Sequence, residues 1–135
     1  MTAYLISFAF PAVLLVGLTL ALLPDIRSSI RARRPAEQRG IALLRSWLTP
    51  EQAKQWDSSG EFDVIGGETG TRYRIARGTA MNIRQLDSVG HTIAQWCFAP
   101  EGKLATGDVL LAQKIALETM ERQALALANI QTTRS

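Results

Sequence analysis

The chain has 135 residues, 47% of them hydrophobic, and a formal net charge of +3; this length allows one soluble domain plus an attachment and excludes more. One cysteine and one histidine exclude an intrachain disulfide and a cysteine-based zinc cluster, and the lone thiol suits a reducing compartment. The charge is uneven. Residues 25–50 carry six arginines against Asp25 and Glu37, for +4, while residues 51–135 carry nine basic and ten acidic side chains, for −1.

Residues 1–24 read as a membrane anchor. Ala3 to Leu23 contains no charged residue, and at about 1.5 Å per residue such a helix covers roughly the 30 Å hydrocarbon core of a bilayer. A cleaved signal peptide would want a basic start, a shorter apolar core and a small-x-small cleavage site, and Thr19-Leu20-Ala21 matches poorly. Pro11 should kink the span, and Gly17 and Ala21, four apart, offer notches for close approach of another helix. Pro11, Gly17 and Ala21 are therefore the expected membrane-packing residues.

Residues 25–35 read as a basic juxtamembrane linker. Arg27, Arg31, Arg33 and Arg34 follow the positive-inside rule, and the other flank of the span, Met1-Thr2, has no charge to compete. The expected topology is N-terminus out, with the C-terminal domain in the bacterial cytoplasm. The same arginines would gain about 1 kcal/mol each from anionic headgroups.

Residues 36–131 read as a cytoplasmic α+β domain. Pro35 to Leu48 has helical spacing, with Ile41, Leu44 and Leu48 on one face and Trp47 alongside. Thr49, Pro50 and Gln52 then spell a capping box with proline at the first helical position, and the second helix should run to about Ser58 and stop near Gly60. From Glu61 the period changes to two. EFDVIG and TRYRIAR alternate around the Gly-rich loop GGETG, which predicts a hairpin, with Val64 opposite Tyr73 and Asp63 opposite Arg74. MNIRQL and HTIAQWCFA add a third and a fourth strand around the turn DSVG. Asp108 should cap a final amphipathic helix of about twenty residues, with Lys114–Glu118 and Glu118–Arg122 pairs on its surface. Those charges also argue against a second span. The expected fold is a single N-terminal transmembrane helix plus a small antiparallel sheet of three to four strands packed against helices.

The segments LTPEQ, RYRIARG, MNIRQLDSVG, WCFAPEG and GDVLLAQKIALET resemble an uncharacterised family of small bacterial and phage domains. The resemblance covers roughly residues 40–130 and implies a compact domain with no known activity; the N-terminal span lies outside it.

Little in the sequence points to chemistry. His91 and Cys97 sit about 20 Å apart if they share one strand, which excludes a dyad within it. Cys97 reads as a small buried hydrophobe, and His91 as a surface residue at a strand start. GGETG lacks the Lys and Ser/Thr of a phosphate loop and joins two strands, so it reads as a turn. No metal, cofactor or catalytic residue is expected. Arg72, Arg74 and Arg84 are the candidate ligand face, though cross-strand pairing with Glu61 and Asp63 is the plainer role. Trp47, Trp56 and Trp96 read as core or interface anchors. The leading expectation is a non-enzymatic accessory or scaffold subunit, with lipids and other integral membrane subunits as partners. The alternative is a membrane-tethered module that holds nucleic acid or an anionic ligand on the arginine face. Nucleic acid is the less favoured partner, because the basic stretch lacks interleaved aromatics.

Overall fold

Thr49 marks where the first two helices part. The computed structural model describes residues 34–132, so the expected membrane span with Pro11, Gly17 and Ala21, and Arg27, Arg31 and Arg33 of the expected linker, lie outside the described residues. Residues 34–47 are helical (α1), with Arg34 exposed at the start. Thr49 then caps α2 (Pro50–Ser59): its hydroxyl accepts from the Gln52 amide at 3.2 Å, and Gln52 Oε1 accepts from the Thr49 amide at 3.1 Å. Pro50 occupies a position whose N–H has no helical partner. Gly60, at φ 73°, ends the helix by donating to the Trp56 carbonyl. Both boundaries match the expectation from sequence.

Five antiparallel strands follow in simple order: β1 (Glu61–Ile65), β2 (Arg72–Ala76), β3 (Ile83–Leu86), β4 (Thr92–Cys97) and β5 (Asn129–Thr132). The β1–β2 register sets Val64 opposite Tyr73 and Asp63 opposite Arg74, as the alternation predicted. Phe62, Val64, Tyr73, Ile75 and Ile83 share one face and are buried against Leu44 of α1, Trp56 of α2, and Leu110, Leu111 and Leu117 of α3 (Thr106–Thr119). Each such side chain, fully buried, is worth about 1.5–3 kcal/mol. Trp56 meets Phe62 edge to face with ring centroids 6.1 Å apart, and the Arg77 guanidinium lies 4.9 Å above the Trp56 ring. Gln113 is fully buried too, yet satisfied: it exchanges two hydrogen bonds with Asn82 and donates to the Phe98 carbonyl at 2.7 Å.

Several expectations differ from the structure. The sheet has a fifth strand, β5, beyond the three to four predicted. The final helix is two helices, α3 and α4 (Glu121–Leu127), separated at Met120, whose φ −146° and ψ 47° are not helical. The apolar period runs through this point without Gly or Pro, and the break falls where Glu121 makes its tertiary bonds to the β1–β2 loop. It also removes the expected Glu118–Arg122 pair, while Lys114–Glu118 is present at 2.7 Å. Asp108 does not cap α3. Ala105 is the N-cap, without a side-chain bond of its own, and Glu37 of α1 supplies one by accepting from the Thr106 amide at 3.0 Å. Asp108 sits in the first turn, where its charge suits the helix dipole. Finally, Cys97 is only half-buried; Trp47, 58% exposed, is not a core residue, which leaves the interface half of its expectation.

Two glycines explain how α1 and α3 pack. A Cβ on Gly107 would overlap the Gly40 carbonyl, and one on Gly40 would stand 2.9 Å from the Ala105 Cβ. The helices meet backbone to backbone there, a contact closed to larger residues.

Candidate functional site: the outer sheet face and the loop between the first two strands

The face of the sheet opposite the core carries the candidate arginines. Register places Asp63, Arg74, Arg84, Gln95 and Gln131 in one row across all five strands. Arg74 donates to Asp63 through Nε at 2.6 Å and Nη2 at 3.1 Å, and its Nε is also 3.9 Å from Glu61. The Asp63 bond holds the Arg74 guanidinium even more firmly protonated than usual. Arg84 pairs with Glu61. The structure thus brings Arg74 and Arg84 together and gives each an acid of its own.

Arg72 is different. It lies one step along the same face, between Ile65 and Leu86, and has no acidic partner among the described residues. Its Nε is enclosed without a hydrogen bond, as is that of Arg84. Beside it, the β3–β4 turn is held by Asp87, which accepts from the Val89 and His91 amides at 3.0 and 2.8 Å. The His91 amide above all keeps the Asp87 carboxyl below its ordinary range. His91 is exposed, with Nδ1 3.4 Å from Asp87.

The second polar constellation went unrecognised in the sequence. Glu121, at the start of α4, is fully buried. Its Oε2 accepts from the amides of Glu68 and Thr69 at 3.0 and 2.8 Å, and its Oε1 accepts from the Tyr73 hydroxyl at 2.7 Å and from the Thr69 hydroxyl. The backbone of GGETG therefore does cradle an anion, and that anion is the protein's own carboxylate. Glu68 reciprocates by accepting from the Arg122 amide at 2.7 Å. The glycines make the fit possible: a Cβ on Gly66 would overlap the Glu121 carboxylate, and one on Gly67 the Glu118 carbonyl. Burial pushes the Glu121 carboxyl up, but the bonds from Thr69, Tyr73 and Glu68 outweigh it, and the net direction is down. Burial and the adjacent carboxylate push the Tyr73 phenol well above its ordinary value. A low-lying acid and a high-lying phenol, both enclosed, keep one protonation state at neutral pH, which suits structure rather than proton transfer.

The glycine pair followed by a threonine was the available signal for an anion cradle. Nothing local marked Glu121 as its occupant, since its partners lie 48 to 53 residues away. Among the described residues, no three His, Cys, Asp or Glu side chains converge as a metal site, and no helix is long and apolar enough to cross a membrane.

No protein-family model, no curated protein and no solved structure matches the chain.

Proposed function

We propose that the protein is a non-enzymatic accessory or scaffold subunit. It is held in a bacterial inner membrane by the apolar helix of residues 1–24, and residues 36–131 are presented to a larger membrane complex from the cytoplasmic side. The observation that supports this reading is that, Arg72 apart, the charged groups of the sheet face and the β1–β2 loop are paired within the domain, while large apolar side chains stay outside. Arg74 and Arg84 are paired with Asp63 and Glu61, and the anion cradle is filled by Glu121. Leu43 and Trp47, four apart on α1, are 46% and 58% exposed. A surface with mostly paired charges and exposed apolar side chains fits protein contact better than a charged ligand.

The test is to replace residues 3–23 with a polyleucine span, which keeps insertion energy and removes the shape given by Pro11, Gly17 and Ala21. The altered protein is expected to reach the membrane but to lose its co-purifying subunits. Normal association would move recognition to the domain, and Leu43 and Trp47 would be substituted next.

A second reading, the tethered module for nucleic acid or an anionic ligand, has Arg72 in its favour. Binding of that kind weakens steeply with added salt. Retention of phosphate or RNA that falls with salt and is lost in Arg72→Gln would favour it.

A further inference from the structure

The two edges of the sheet are finished differently. At β1, the Asp63 amide donates to Gln55 Oε1 and the Asp63 carbonyl accepts from Gln52 Nε2, each at 2.8 Å. Side chains of α2 thus consume the backbone groups that a further strand would use. At β5, one side pairs with β4, and among the described residues nothing hydrogen-bonds to the other. All four residues of β5 are exposed, and none is a lysine, a proline or a bulge, the usual devices that protect an edge.

Apolar surface gathers at this same end. Leu127 is 80% exposed, Ile130 52% and Met120 46%. Ile130 stands opposite Trp96, which stands opposite Ile83 of the core. Ile130 therefore lies on the core-bearing face and stays half exposed. Beside it runs a groove of about 430 Å³ whose lining includes Ala112, Ala116, Ala124, Phe98 and Leu127 and holds no charged side chain.

We propose that this end is an interface with a second copy of the chain. β5 pairs antiparallel with its twin across a two-fold axis to give a continuous ten-stranded sheet. Leu127, Met120 and the alanine-lined groove of each copy cover those of the other. A second copy is the occupant that fits, for three reasons. The donors and acceptors of an antiparallel edge complement an identical edge. The patch holds both a projecting side chain, Leu127, and a hollow with small alanines in its wall, so it is self-complementary as a two-fold interface requires. And its described residues carry no charge, so they meet their copies without like-charge repulsion, whereas a charged partner would find nothing among them to pair with. This inference does not depend on the accessory-subunit reading.

The experiment uses the full chain in mild detergent, with protein mass measured by light scattering and cysteine cross-linking as a second readout. The wild type is expected to be a dimer. Leu127→Glu with Ile130→Glu should weaken association at least tenfold while the protomer keeps its circular dichroism spectrum, since both positions are exposed. In a Cys97→Ser background, Ile130→Cys or Gln131→Cys should form an intermolecular disulfide under mild oxidant, and Ser58→Cys on α2 should not. A monomeric wild type, a dimer that persists in the double variant, or cross-linking from α2 instead of β5 would overturn the proposal.

Discussion

Glu121 is buried with its charge, and four donors make that tolerable. Removing the carboxylate should leave those donors facing nothing, so Glu121→Ala is expected to cost about 3–5 kcal/mol. In a domain of this size that is a fall in Tm of more than about 10 °C, readable by circular dichroism. Glu121→Gln keeps the shape and should cost less. The pH dependence has a definite sign. Because the folded-state value of Glu121 is lowered, its stabilisation is fully present above the ordinary carboxylate range, near pH 4. It is lost as pH falls through the folded value. The stability gap between wild type and Glu121→Gln should therefore narrow on acidification below about pH 4; a gap that stays constant would contradict the charged state. Tyr73 runs the other way. Its raised value means its contribution is complete below about pH 10 and is lost only at higher pH, and Tyr73→Phe should cost about 1.5–3 kcal/mol at neutrality. Residues whose roles are local were legible in the sequence: Thr49, Pro50 and Gln52 act within one helical turn. Glu121 was not, because its role exists only after the β1–β2 loop and the α3–α4 junction meet.

Elements with an unbroken period were legible for the same reason. β1 and β2 alternate cleanly around a glycine-rich loop, so even their register, Asp63 opposite Arg74, could be read in advance. The α3–α4 break could not, since leucines and alanines keep helical spacing through Met120, and the helix stops there beside Glu121, whose carboxylate bonds to the distant β1–β2 loop. β5 failed by length: four residues after a helix give too short an alternation to register. Tight packing between elements was also invisible, because Gly40 and Gly107 look like ordinary helix-weakening residues until α1 and α3 are seen to touch. The two should respond differently to alanine. At Gly107 the new methyl meets Gly40 backbone, which has no way to yield, and about 1–3 kcal/mol of overpacking is expected. At Gly40 it meets the Ala105 methyl, and a gain of up to about 1 kcal/mol in helix propensity offsets part of the strain. Urea melts of the two single variants should rank Gly107→Ala as the more destabilised, and the reverse order would mean that the helices do not cross at this contact.

At the scale of the whole molecule, the governing feature is that residues 51–135 nearly balance their charges, at −1, while residues 25–50, beside the apolar N-terminal stretch, carry +4. On the sheet, this balance is spatial as well as numerical, since Glu61 and Asp63 lie on the arginines they neutralise. The acids should therefore act as a mask. Glu61→Gln with Asp63→Asn leaves Arg74, Arg84 and Arg72 on one face without a counter-charge and should create affinity for phosphate-bearing polymers where the wild type has little. The half-exposed pairs contribute about 1 kcal/mol or less each to stability, so the double variant should stay folded. The measurement is retention of a chain beginning at Glu37 on a single-stranded RNA or heparin matrix across a salt gradient. The chain should fold at that length because the core, from Leu44 to Leu117, lies wholly within it. Wild type should elute early. The double variant should elute later, with retention that collapses as salt rises. If the wild type already binds as tightly as the variant, the acids do not mask the face, the charge balance has another purpose, and Arg72 gains weight as the start of a real anion site.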